Sequence, residues 1–156
     1  MCDVMTKILR NIGAISRALD SISNIEFKEI SLTKGQYLYV VRVFEKPGII
    51  LENLAELLRV DKTTASRAVN KLVANGLLTK KMTAKNQKNK QLFVTKKGEE
   101  VYQLLISEHK YSEKMALTGL SATEKQQLEE LLTKINENVT ADWQFVKKGG
   151  QRNYEN

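Results

Sequence analysis

The sequence predicts a mainly α-helical chain interrupted by one small β-hairpin. Three observations carry that prediction. Apolar residues recur every three or four positions over most of the 156 residues. The chain holds one proline and eight glycines, too few for a loop-built protein. The period changes only once, between residues 77 and 94. With 42% apolar residues the chain can bury a core, and its length suits a single domain over 1–156.

Residues 4–27 read as a helix through Val4, Ile8, Ile12, Ile15, Leu19 and Ile22. Thr33 and Gln36 have capping-box spacing and open a second helix that runs to about Phe44. Pro47-Gly48 ends it in a turn. Leu51, Leu54, Leu57 and Leu58 mark a short helix over 50–59. Val60 and Asp61 break it, and Asp61 is a good N-cap for a helix carrying Ala65, Val69, Leu72 and Val73. Asn75-Gly76 stops that helix, because glycine takes the left-handed C-terminal conformation. Leu77–Met82 and Gln91–Val94 are extended, and Thr83–Lys90 is polar, basic and turn-prone: a hairpin with a long tip. Thr95 caps a long helix through Val101, Leu104, Leu105, Tyr111 and Met115, which Gly119 ends. Ser121 and Glu124 form a second capping box, opening a helix through Leu128, Leu131, Leu132, Ile135, Val139 and Trp143. Residues 148–156, led by Gly149-Gly150, read as a flexible tail.

The residue inventory excludes several classes. Cys2 and His109 are the only cysteine and histidine, so neither a disulfide framework nor an ordinary zinc site of about four N or S ligands is expected. No apolar run reaches the roughly 18 residues that span a bilayer, and the first residues lack the basic-then-apolar layout of a secretory signal. A cytoplasmic protein without membrane contact is expected. No nucleophile has a neighbouring base and no glycine-rich phosphate loop is present. Glu99-Glu100 and Glu129-Glu130 are adjacent pairs that do not face each other on a helix. The reading is therefore not an enzyme, with no cofactor and no metal. His109 reads as a packed or surface imidazole, and Cys2 as a frayed terminal thiol, with redox sensing as the alternative.

The charge is local. The chain carries +7 overall, yet residues 59–97 hold eleven Lys or Arg against the single acid Asp61, a net of +10. The rest of the chain is at −3. Solvated faces mix signs, so a one-sign run of this size points to a polyanion.

Residues 51–72 explain where that polyanion would sit. Leu54 and Leu58 face inward, the small Ala55 allows two helices to cross closely, Val60 plugs the turn, and Ala65 and Val69 dock the second helix. This is the packing of a helix-turn-helix. Its outward face carries Thr63, Thr64, Ser66, Arg67, Asn70 and Lys71, groups that reach base edges and phosphates in a major groove. The hairpin then supplies a cationic wing with Lys85, Asn86, Lys88 and Lys90 at its tip and Lys80, Lys81, Lys96 and Lys97 at its base. The partner these residues imply is double-stranded DNA.

The order helix, helix, helix-turn-helix, wing, long helix, long helix resembles the MarR family of bacterial transcription regulators over roughly residues 4–146. The carrying segments are "LENLAELLRVDKTTASRAVNKLVANGLL" (51–78) and "QLFVTKKGEEV" (91–101), the latter similar to the family's strand followed by Leu-Thr-x-x-Gly. Many members have an Asp-x-Arg element at the wing tip, in which the Asp turns the Arg toward the minor groove. The matching positions here are Asn86 and Lys88. Asparagine holds a lysine by a hydrogen bond but not by a charge pair, so this wing is expected to act mainly through charge.

The resemblance implies a winged helix-turn-helix region at 30–98 and helical dimerisation regions at 1–29 and 99–147. It implies a homodimer on a pseudo-palindromic operator, and the function read from it is a sequence-specific repressor, with an activator as the alternative. It also implies release by a small aromatic or anionic effector held between the dimer helices and the winged region. Ile12, Ile15, Tyr37, Tyr39, Val40 and Arg42 are the candidate neighbours of such a crevice, with core packing and a surface ion pair as the alternatives. The alternative function is a winged-helix protein that binds duplexes without sequence choice.

Overall fold

Six helices and three short strands follow one another in the described residues. They are α1 (Cys2–Glu26), α2 (Gln36–Glu45), β1 (Ile49–Ile50), α3 (Leu51–Leu58), α4 (Lys62–Ala74), β2 (Leu78–Thr83), β3 (Asn86–Val94), α5 (Lys96–Ala116) and α6 (Ala122–Lys147). The structure is a computed structural model describing residues 2–32 and 35–154. The side chains of 2–6, 86 and 87 also lie outside the described part, among them those of Cys2 and Asn86. The chain divides into two compact units, Met1–Ser112 and Glu113–Asn156.

In the first unit a core of Val40, Val43, Leu54, Val69, Leu72, Leu78, Leu92 and Leu105 is sealed from solvent. Each such side chain contributes about 1.5–3 kcal/mol by leaving water. Ala55 and Ala65 are buried where α3 crosses α4, as the small side chains require. Between them the chain turns at Arg59, whose φ of 54° puts a non-glycine residue in the left-handed region. The Arg59 N–H donates to Glu56 O and the Val60 N–H to Ala55 O, which closes the end of α3. α4 ends as its sequence demands. Gly76 at φ 75° donates to Val73 O, and Leu77 donates to Leu72 O.

Three expectations need correction. The capping box at the start of α2 is not formed: Gly35, at φ 73°, holds the N-cap position without a side-chain bond, and Gln36 is the first helical residue rather than the third. Thr33 itself lies outside the described residues. The hairpin is a three-stranded antiparallel sheet in the order β1-β3-β2, with Ile49 opposite Leu92 and Ile50 opposite Gln91. Two residues are too short to show a strand period, and the helix expected over 50–59 takes in one of them, Ile50. The wing tip is also shorter than expected. β3 begins at Asn86, so residues 84 and 85 alone turn the chain, and Lys88 and Lys90 lie on the strand. Both faces of the sheet there are solvated, so no apolar alternation marks the strand. Pairing is regular from Leu78↔Val94 to Lys81↔Gln91 and then slips to Thr83↔Asn86, so that Met82 stands against residues 87–90 in a bulge.

Thr95 joins the wing to the helices. Its N–H donates to Leu77 O (3.0 Å), its Oγ1 donates to Gly76 O (2.6 Å), and Oγ1 accepts from the Gly98 N–H (3.0 Å). Gly98 is buried against the Leu77 carbonyl, and a Cβ there would meet that oxygen and Val94 Cγ1 well inside contact distance.

In the second unit α6 opens on the expected capping box. Ser121 Oγ accepts from the Glu124 N–H (3.2 Å), and the Ser121 N–H donates to Glu124 Oε2 (2.7 Å). That bond holds the Glu124 carboxyl below its ordinary pKa. At the far end Gly149 and Gly150 donate to Val146 O and Phe145 O, and Arg152 pairs with Asp142.

Replacing Gly98 with Ala forces a methyl into backbone. We expect a loss of about 1–3 kcal/mol, read as a lower melting temperature by circular dichroism. An unchanged melting point would refute the close approach.

Candidate nucleic-acid interface

The site begins at the cap of α4. Asp61 Oδ1 accepts from the Thr64 N–H (2.8 Å), and the Thr64 hydroxyl donates to Asp61 Oδ2 (2.6 Å). The hydroxyl and then the amide hold the Asp61 carboxyl below its ordinary pKa. The helix therefore starts at a fixed point, and its exposed face carries Thr63, Thr64, Arg67, Asn70 and Lys71, with Ser66 half-buried at the edge. Their spacing of three and four residues keeps them on one side.

The wing lies next in sequence, and its base is tied down. Lys80 Nζ donates to Asn70 Oδ1 (2.5 Å), and Lys81 Nζ sits 5.1 Å from the centre of the Phe93 ring. Lys97 Nζ donates to Asn75 O (3.1 Å), near the end of α4. Lys85, Lys88 and Lys90 are exposed toward the tip. Cations are thus of two kinds: braced ones at the wing base and exposed ones on its outer part. The minor-groove role at Asn86 and Lys88 falls partly outside the described residues, since the Asn86 side chain is among those left out.

The candidate effector residues do not share one setting. Tyr39 is buried in the core, where burial and then the Asp61 charge push its phenol up in pKa. Val40 is also core. Arg42 pairs with Glu45 one turn along α2 (2.6 Å). Ile12 is half-buried on α1 and Ile15 is exposed. Tyr37 is the residue that reaches other elements. Its ring packs on Phe27 and edge-on to His109, at 5.3 and 5.5 Å between centres, and its hydroxyl lies 3.5 Å from Asp20 Oδ1. Burial pushes its phenol up in pKa as well. His109 is thus a packed imidazole, 3.8 Å from Glu108 Oε2.

Sequence reasoning missed the Lys80–Asn70, Lys81–Phe93 and Tyr37–Asp20 pairs. Their members are 10 or more residues apart, and no local spacing reports such meetings. Among the described residues no group of three His, Cys, Asp or Glu side chains could hold a metal, and no helix is long and apolar enough to cross a membrane.

A capped second helix with a polar outer face, followed by a basic wing and flanked by long helices, defines a winged helix-turn-helix protein. Comparison with known proteins makes the class specific. The MarR family pattern matches residues 32–90. The uncharacterized HTH-type transcriptional regulator YybA of Bacillus subtilis (strain 168) is 52% identical over 150 residues, covering 96% of this chain and 100% of YybA. A MarR family transcriptional regulator of Listeria monocytogenes, solved in complex with a 26mer DNA, is 53% identical with a TM-score of 0.91, covering 94% of this chain and 97% of that one. A MarR protein from Peptoclostridium difficile is 39% identical with a TM-score of 0.85, covering 89% of this chain and 91% of that one. The chain belongs to the MarR family of winged helix-turn-helix transcriptional regulators. The homologues are regulators rather than enzymes.

Because the folded pKa of Asp61 is depressed, its stabilisation is present above the ordinary carboxylate pKa of about 3.9 and is lost as pH falls through the folded value. Asp61→Ala should therefore lower the melting temperature at pH 7, and the gap to wild type should close below about pH 4. A gap independent of pH would show that the carboxylate is not the cap.

Proposed function

We propose that the chain is a homodimeric repressor that binds a pseudo-palindromic operator in double-stranded DNA. The observation that carries this reading is the continuity of one basic surface. The exposed face of α4 runs into a wing that exposes Lys85 in its turn and Lys88 and Lys90 on the outer part of β3. Thr63, Thr64, Ser66, Arg67, Asn70 and Lys71 read base edges and phosphates in the major groove, and Asn86 and the wing lysines track the backbone. The DNA complex of the Listeria relative supports the choice of partner. Repression follows from occupancy, since a promoter covered by a protein is closed to polymerase.

Apolar side chains support the dimer. Ile8, Ile15, Leu19 and Ile22 of α1 repeat at helical spacing and are 37–57% exposed, as are Leu131, Leu132 and Val139 of α6 at 41–57%. Stripes of this kind are covered in stable soluble proteins. Two-fold pairing would set half-sites about one helical turn (~34 Å) apart. Release by a small aromatic or anionic effector is the remaining part of the reading. Tyr37 supports it best, because Gln36 Oε1, next to it in sequence, and Glu108 Oε2, next to the His109 that its ring touches, are buried without a hydrogen-bond partner among the described residues.

Gel shifts on a panel of duplexes test the function. Specific binding should exceed nonspecific by at least ~10³, and Lys88→Ala should lower the salt slope by about one without changing sequence preference. Equal affinity for every duplex would instead favour a protein that coats DNA without sequence choice. Sedimentation should give about 35 kDa, twice the 17.7 kDa chain mass, and Leu19→Glu should shift the protein toward the single chain. A wild-type chain that sediments alone at micromolar concentration would end the dimer reading.

A further inference from the structure

The recognition helix and the wing meet at one side-chain pair. Lys80 Nζ, half-buried on β2, lies 2.5 Å from Asn70 Oδ1 on the exposed face of α4. An ammonium group only donates, so the amide atom facing it has to be the oxygen. The orientation of the amide follows from that chemistry: oxygen toward Lys80, NH2 away. An unconstrained asparagine reads adenine through two bonds, accepting from N6–H and donating to N7. Asn70 has its acceptor beside a full positive charge, which opposes an approaching amino group. The oxygen keeps a second lone pair, but the adjacent ammonium weakens it as an acceptor, so what the pair offers a base is mainly donors. Thr64, near the start of the helix, has the opposite polarity. Its single proton goes to the Asp61 carboxylate, so its oxygen is left to accept.

We infer that Lys80 is a specificity-positioning residue: by holding the Asn70 carbonyl it presents Asn70 as a hydrogen-bond donor, which reads guanine and disfavours adenine. The inference rests on the DNA-binding reading above and adds to it the base edge that one position selects. Guanine shows two acceptors in the major groove, N7 and O6, while adenine pairs its N7 with an amino donor. A pair dominated by donors matches the first and meets repulsion from the second. Lys80 thereby acts through Asn70 rather than as one more phosphate contact.

Selection of bound duplexes from a random pool tests this, using wild type, Asn70→Ala, Lys80→Met and Lys80→Arg, each verified as folded by thermal melting. Wild type should prefer guanine over adenine by about tenfold at one position in each half-site. Asn70→Ala should erase the preference at that position alone. Lys80→Met, which keeps the aliphatic stem, should shift it toward adenine, and Lys80→Arg, also donor-only, should retain it. The inference is overturned if Lys80→Met weakens all sequences alike and only lowers the salt slope, the mark of a phosphate contact. It is equally overturned if the guanine preference survives Asn70→Ala, which leaves specific binding itself intact. A wild-type chain with no preference anywhere sinks both this inference and the reading beneath it.

Discussion

The structure depends on the clasp at Thr95 and Gly98. Three elements end or begin there: α4 through Gly76 and Leu77, β3 through Val94, and α5 through its first turn. Thr95 serves all three with one backbone N–H and one hydroxyl that both donates and accepts. The missing side chain of Gly98 lets α5 start directly against the Leu77 carbonyl. Without that approach the wing would still be a hairpin, but its direction relative to α4 would be free to vary. The three-residue spacing from Thr95 to Gly98 is thus a statement about angle as much as about helix capping. It sets where the wing lysines stand relative to the exposed face of α4.

Electrostatics is layered on that frame. A net of +10 over residues 59–97 would repel itself if every cation stood free. At the wing base the cations are instead given partners that cost no charge: an amide oxygen for Lys80, an aromatic face for Lys81, a helix-end carbonyl for Lys97. These partners orient the ammonium groups and leave the positive field intact. A carboxylate in the same places would orient them equally well and cancel the field.

Much of the fold was legible because it rests on short-range signals. The box at Ser121–Glu124, the cap at Asp61 and the left-handed Gly76 each follow from residues within a few positions of one another, and the crossing alanines 55 and 65 follow from the helix-turn-helix pattern of residues 51–72. The signals that failed share a cause. β1 exists only because Leu92 and Gln91 arrive from 40 residues away to pair with it. The outer half of β3 is polar and bulged, held to β2 at Thr83↔Asn86, so its composition carries no strand period. Gly35 holds the cap of α2 because a left-handed turn costs glycine little. The same limit governs the site. Which residues face outward on α4 was readable from helical spacing, but the polarity that Asn70 presents depends on Lys80, and no spacing rule links the two.

The bulge in β3 has a consequence for how much change this surface can absorb. Below Lys81↔Gln91 the two strands keep strict alternation, and Leu78 and Leu92 send their side chains into the core. Above it, four residues of one strand already stand against one of the other. Insertions or deletions in that outer stretch change the reach and charge of the tip without shifting the alternation below, so no core side chain is turned outward. The wing is in this sense a graduated arm on a fixed shoulder. Its length can drift under selection for a particular groove while the fold that carries it stays the same.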